Sequence, residues 1–152
     1  MKKLNKRFKV SEDAEYELID ETTIRITRGT VHAFPWAHVK AHGNTKVIAY
    51  EGAEIQARDN STVIAYDKAI VWVYDNSTVK AYDKTHVLTY NNSKVKAYDK
   101  STVEAWDNSE IEAYGESYTQ AYDNSLVDLY NNATVRAMPG SSLRRLQTKV
   151  DK

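Results

Sequence analysis

Residues 71–110 read VWVYDNST VKAYDKTH VLTYNNSK VKAYDKST VEAWDNSE, five copies of one eight-residue unit with no insertion. The register extends outward in both directions. From Val39 to Ser142 the chain holds thirteen such units, and VHAFPWAH from Val31 is a weaker earlier copy. The consensus is V-x-A-Y-D-N/K-S-x. Below, its positions are numbered one to eight from Val39. Self-similarity at a fixed short period is the signature of a solenoid.

Each unit divides in two. V-x-A-Y alternates apolar and variable residues, the period-two pattern of a short half-buried strand. D-N-S is turn chemistry, because Asp and Asn side chains hydrogen-bond nearby backbone and tolerate left-handed conformations. These residues stand in for glycine, of which the chain has only five. A period of eight does not match the 3.6-residue helical turn, so the sequence predicts an all-β chain.

A longer rhythm sets the coil. Position six carries Asn44, Asn60, Asn76, Asn92, Asn108 and Asn124 at steps of sixteen, with Lys68, Lys84 and Lys100 in alternate slots. Units two apart therefore share an environment. The expected fold is a β-solenoid: a flattened two-sided β-roll with two octapeptides, or 16 residues, per coil, capped at both ends. Val at position one and Ala at position three fit between two close-packed sheets. Position two is variable and often charged, so it faces water, and Tyr at position four is expected to face outward with it. The expected organisation is an N-terminal cap at 1–30, a repeat solenoid at 31–142 and a C-terminal cap or tail at 143–152. Within the first segment, Tyr16–Ile19 and Thr23–Thr27 read as short strands. Leu143 and Leu146 are expected to fold over the last coil. Non-repetitive Trp36, with Phe34 and Pro35, is expected to pack the N-terminal cap.

The units AYDNST, AYDKST and VYDNST resemble the YDNST-type octapeptide repeats of bacterial and bacteriophage proteins. The resemblance covers about two thirds of the chain and implies a solenoid, with little said about activity, because function lives in sites grafted onto a fold. Hexapeptide acyltransferases have a six-residue unit with an aliphatic key position. The period of eight departs from theirs, and their activity is not carried over.

With two units per coil, position four forms two columns. One is Phe34 followed by Tyr50, Tyr66, Tyr82, Tyr98, Tyr114 and Tyr130, aromatic throughout. The other holds Tyr74, Tyr90, Trp106 and Tyr122 between His42 and Arg58 at one end and Met138 at the other. Stacked rings stabilise neighbouring strands, and exposed aromatic arrays also mark recognition surfaces. Both columns are candidate binding residues.

Other chemistries are weakly represented. Stacked Asp59, Asp75, Asp107 and Asp123, and Asp67, Asp83 and Asp99, read as turn-capping residues rather than a calcium cage, since calcium-binding rolls use a glycine-rich nine-residue repeat. His32, His38 and His42 lie close in sequence, but Pro35 predicts a turn between them, and no metal site is expected. The repeated serines are turn residues, not nucleophiles. No glycine-rich phosphate loop occurs, and no cysteine is present for disulfide or thiolate chemistry. Position eight is mixed, so no threonine row of the ice-binding kind forms.

Lys plus Arg and Asp plus Glu both number 21. With the repeat region net acidic, neither nucleic acid nor a membrane is an expected partner. The basic start lacks the apolar stretch of a secretory signal, so the chain is expected in the cytoplasm. The expected function is non-enzymatic and cofactor-free: a recognition or scaffold protein presenting a rigid solenoid surface to a protein partner. A phage or mobile-element inhibitor of a host defence complex is one setting. The alternative is a glycan-binding or purely structural repeat protein. A homodimer through a cap or an exposed sheet edge is a further expectation.

Overall fold

The computed structural model describes residues 2–4, 8–10, 14–18 and 23–146. Among these residues every regular element is a β-strand, and no helix is long and apolar enough to cross a membrane. Strands alternate between two all-parallel sheets of ten and nine strands, and from Thr30 onward each chain crossing from one sheet to the other is a single octapeptide. Within the repeat, partners stand sixteen residues apart, as in Thr62↔Thr78 and Val63↔Val79. This is the two-sided roll that the position-six rhythm predicts. At a strand spacing of about 4.8 Å, ten rungs make a stack about 43 Å long.

The strands are displaced by one residue from V-x-A-Y. Each covers position eight of one unit and positions one to three of the next, as in Thr78–Ala81 and Lys94–Ala97. Position four stands just beyond the strand. It begins a four-residue turn in which its carbonyl accepts the position-seven N–H, as in Ser61 N–H to Arg58 O at 3.2 Å and Ser77 N–H to Tyr74 O at 3.2 Å. The next residue takes a left-handed φ, from 52° at Asp123 to 65° at Gly115. Asp and Asn tolerate that region better than other L-residues. Where a proline or Glu51 comes first, positive φ moves one place on, to Gly52 (72°), Gly140 (97°) and Trp36 (68°). Proline holds φ near −65°, so the turn must find its left-handed residue at the following place.

The interior holds position one (Val47, Val63, Val79, Val95), position three (Ala49, Ala65, Ala81, Ala97) and, unforeseen from alternation alone, position seven. The turn reverses the chain so that Ser61, Ser77, Ser93, Ser101 and Ser125 point back into the core, fully buried. Most of these hydroxyls are satisfied within their own turn, while Ser77 Oγ meets Ser61 Oγ of the neighbouring rung at 3.2 Å. Ser93, Ser101 and Ser125 Oγ donate to the carbonyls of Tyr90, Tyr98 and Tyr122, each at 2.7 Å. Serine recurs in the unit because it is small enough for the core edge and in most turns finds the position-four carbonyl within reach, Ser109 and Ser117 being the exceptions.

Rungs also occur outside the repeat. Glu15–Leu18 pairs in parallel with Thr30–Ala33, and Thr23–Ile26 with His38–Ala41. The step is one residue short of sixteen there, as Glu15↔Thr30 shows. Tyr16 takes the core place opposite Val31 and is 2% exposed. At the far end Ser142–Arg145 pairs with Leu126–Leu129, which leaves Leu143 47% exposed on the terminal rung. Trp36 does not pack as the sequence suggests. It sits on a turn at 67% exposure, because the Pro35 turn directs it out of the stack.

Candidate binding faces

Position-four rings line the two outer faces. They are half-buried and lean back along the sheet toward position two: the Tyr114 hydroxyl donates to Glu112 Oε2 at 2.5 Å, and that of Tyr122 to Gln120 Oε1 at 2.8 Å. On the ten-stranded sheet the ladder is unbroken, with centroid spacings of 5.0 Å (Phe34–Tyr50), 6.0 Å (Tyr50–Tyr66), 5.2 Å (Tyr66–Tyr82), 4.8 Å (Tyr82–Tyr98), 5.0 Å (Tyr98–Tyr114) and 4.5 Å (Tyr114–Tyr130). On the nine-stranded sheet Tyr74–Tyr90 is 5.1 Å, Tyr90–Trp106 is 6.5 Å and Trp106–Tyr122 is 3.9 Å. Arg58 extends this ladder, its guanidinium carbon 4.5 Å from the Tyr74 centroid. Every ladder residue expected from the sequence lies in its expected column.

Stacking has a chemical consequence. The rings are nearly parallel, 3° apart at Trp106–Tyr122 and 7° at Tyr82–Tyr98, so each interior ring has a stacked ring on both sides, closest at Trp106–Tyr122 and most open at Tyr90–Trp106. What the ladders present is ring edges and hydroxyls. Burial raises the phenol pKa of Tyr90 and Tyr98 above the ordinary value, and a neighbouring tyrosine adds to the rise in each case. Tyr114 is raised furthest, by burial first and then by its bond to the Glu112 carboxylate. Burial by itself would raise Glu112, but hydrogen bonds from Tyr114 and Lys96 outweigh it and hold that carboxyl below the usual range.

The two outer faces differ at positions eight and two. On the ten-stranded sheet, ion pairs run between rungs: Lys94–Glu110 at 2.8 Å, Lys96–Glu112 at 2.9 Å, and Arg144 to Asp128 at 2.7 Å. Ile48 and Ile64 lie opposite one another nearer the N-terminal end. The nine-stranded sheet places Ile70 and Trp72 on one rung, Leu88 on the next and Tyr118 further along. These variable positions attract no notice in a consensus. Only the stacking of alternate units shows that they adjoin the second aromatic column.

Turn edges are built by position five. Its carboxylate reaches across to the rung before it rather than back to its own turn: Asp59 accepts from the Gly43 N–H at 2.8 Å, Asp75 from Asp59 at 3.1 Å and Asp107 from Asn91 at 2.9 Å. On the opposite edge Asp83 accepts from Asp67 at 3.3 Å and Asp99 from Asp83 at 3.2 Å. That edge also forms a shallow groove of about 450 Å³ lined by Asp67, Asp83, Asp99 and the intervening lysines. Among the described residues no three His, Asp or Glu side chains converge as a metal site.

The structure disperses the histidines. His32 stands on the ten-stranded sheet, His38 on the other and His42 at a turn edge, each beside a carboxylate one rung away: Glu15 at 2.7 Å, Glu54 at 3.0 Å and Asp59 at 3.6 Å. His86 repeats the arrangement with Glu104 at 3.4 Å. Burial lowers the pKa of His42, and Arg25 lowers it further, against the opposing pull of Asp59. No family model, curated protein or solved structure matches the chain, so what is established of its kind is the architecture itself: an octapeptide-repeat β-solenoid with a tyrosine ladder.

Proposed function

We propose that this chain is a non-enzymatic recognition protein of the YDNST repeat type, whose rigid solenoid presents an outer face to a protein partner. The observation that carries this reading is the ring geometry. Nucleobases and sugar rings bind aromatic side chains by lying on an open π-face, and in these ladders neighbouring rings occupy those faces. Ring edges, hydroxyls and aliphatic side chains remain, which suit the side chains of another protein. The uninterrupted backbone pairing between rungs supports the rigidity. Little conformational entropy is then lost at such a surface on binding.

A component of a host defence complex, met by a phage or mobile-element protein, is the setting in which we would look first. The test is affinity capture from bacterial lysate, identification of what is retained by mass spectrometry, and titration of the purified candidate. Direct binding with a defined stoichiometry supports the reading. A glycan array showing specific binding, with no protein that binds once purified, overturns it.

A further inference from the structure

We infer that the outer face of the nine-stranded sheet, and not the face with the complete tyrosine ladder, is the docking face, and that its partner is a protein surface with an apolar centre and an acidic patch toward one end. The inference rests on the protein-binding reading above and deepens it.

The first argument is composition by row. Successive rungs of this face present His38, Lys40 and His42, then Glu54, Gln56 and Arg58, then Ile70, Trp72 and Tyr74, then His86, Leu88 and Tyr90, then Thr102, Glu104 and Trp106, with His38 beside Glu54 and His86 beside Glu104. Two tryptophans, flanking tyrosines and an arginine stacked on Tyr74 form one contiguous block. These residue types dominate interface hot spots. On the opposite face the corresponding places along the C-terminal half are engaged in ion pairs with each other, so their charges are already matched. From the Lys40 row to the Gln120 row is about 24 Å, and a rung is about 13 Å wide, so the footprint is roughly 300 Å². That is the size of an interface centre, with the rim supplied by adjoining turns.

The second argument is charge. Arg25 and Lys40 are exposed and directly opposite one another in the sheet. Arg58 lies beyond them on the same side, and Arg25 and Arg58 both depress the protonation of His42. Like charges facing across a sheet are destabilising. Among the described residues no carboxylate lies within ion-pair distance of Arg25, Lys40 or Arg58. Beside the Trp72 block, then, stands a cationic cluster that makes no ion pair through Arg25, Lys40 or Arg58 among the described residues, with Asp59 at its edge beside His42, and it complements anionic groups on a partner. His38, Lys40, Glu54, Gln56 and Trp72 line a small cleft, about 70 Å³, where cluster and block meet.

A second copy of this chain is the competing occupant, since antiparallel docking about the Trp72 row would bring Lys40 to the row of Glu104. A concentration-dependent dimer that Trp72→Gln abolishes, measured by analytical ultracentrifugation, would overturn the acidic-protein partner. A nucleic acid would also supply charge, and the (dT)30 arm of the test separates it from an acidic protein.

The test takes the purified partner from the capture experiment and measures its affinity for wild type, Trp72→Gln, the pair Lys40→Glu with Arg58→Glu, and Ile48→Ser on the opposite face. Glutamine already stands at the Trp72 position one rung away, as Gln56, so that variant preserves the fold, and circular dichroism with thermal melting checks all of them. Trp72→Gln is expected to weaken binding about 30-fold or more, as for a hot-spot residue. The charge-reversed pair is expected to do likewise and to remove most of the salt dependence. Ile48→Ser is expected to stay within about twofold. As isolated probes, poly-L-glutamate should shift the Trp72 indole resonance and (dT)30 should not. Unchanged affinity in the first two variants, or loss of binding in Ile48→Ser alone, overturns the assignment of the face while leaving a protein-binding function standing. Tighter binding to (dT)30 than to poly-L-glutamate overturns the acidic-protein partner. Failure to recover any protein that binds once purified overturns both.

Discussion

The Asp75 carboxylate accepts a hydrogen bond from the backbone N–H of Asp59 at 3.1 Å, and the two residues stand sixteen positions apart. Asp75 is itself left-handed, φ 60°, and its own N–H is capped by Asn91 Oδ1 at 3.2 Å. One residue type thus answers two needs: it tolerates the turn and it caps the rung before. Asp75→Ala loses the charge-assisted bond and places an ordinary Cβ in the left-handed region, a combined cost of about 1–2 kcal/mol. Asp75→Asn should cost less than half of that, since Asn91 performs the same task. Asp75→Gly should fall between them, because it loses the bond and keeps the turn. Urea unfolding of the three variants checks the order.

Tyr98 stacks on Tyr82 at 4.8 Å and on Tyr114 at 5.0 Å, so its removal breaks two ring pairs at once. At about 0.5–1.5 kcal/mol for each pair, Tyr98→Ala is expected to destabilise by about 1–3 kcal/mol. Tyr98→Phe keeps both stacks and should remain within about 0.5 kcal/mol of wild type. Equal losses in the two variants would place the stabilisation in the hydroxyl instead of the ring. Differential scanning calorimetry distinguishes the two.

Thr119 occupies position one, where valine stands in most units, and its hydroxyl is buried without a hydrogen-bond partner. Ser117 Oγ, at the neighbouring core edge, is in the same condition. An unpaired buried hydroxyl costs about 1–3 kcal/mol. Thr119→Val is therefore expected to stabilise the chain by about 1 kcal/mol, a shift of a few degrees in Tm. Ser117→Ala should also stabilise, whereas Ser101→Ala should not, because the Ser101 hydroxyl donates to the Tyr98 carbonyl at 2.7 Å. A fall in Tm for Thr119→Val contradicts the account.

Alkaline pH should attack the ladder. Tyr90, Tyr98 and Tyr114 all have folded-state pKa values raised above the ordinary phenol value, principally by burial. A raised folded-state pKa means that the stability contribution is complete below about pH 10, where the unfolded phenols are also protonated, and declines as pH rises above it. Lys96, raised by its hydrogen bond to Glu112, acts in the same direction. Titration of phenolate absorbance near 295 nm should show part of the tyrosine population ionising late, together with loss of β-sheet circular dichroism. In Tyr114→Phe the latest-ionising component should disappear. On the acid side Glu112 is depressed, so its contribution is present above the ordinary carboxylate value and is lost as pH falls through the lower folded-state one.

Much of this architecture can be read from local chemistry. The period of eight, the alternation of Val and Ala with variable residues, and the Asn recurrence every sixteen positions lead to two parallel sheets with Val and Ala inside. They also place each aromatic residue in its column, since a strand's side chains alternate and identical units stack in identical places. Strand boundaries are less legible. Tyr looks like a fourth strand residue, but the left-handed residue after it bends the chain there, and position eight joins the strand in its stead.

Contacts between rungs were decided by the tertiary structure alone. The Asp carboxylate has nearby N–H donors in any isolated turn, and only stacking at about 4.8 Å brings the preceding rung's N–H to it. Serine appears polar and superficial until the turn directs it inward. His32, His38 and His42 adjoin in sequence, and successive crossings separate them onto two faces and an edge. The inequality of the faces has the same origin. Trp72, Leu88, Lys94 and Glu110 are all unremarkable variable positions until the coil sends alternate octapeptides to opposite sides, so that outer side chains sixteen residues apart become neighbours while those eight apart stand on opposite faces.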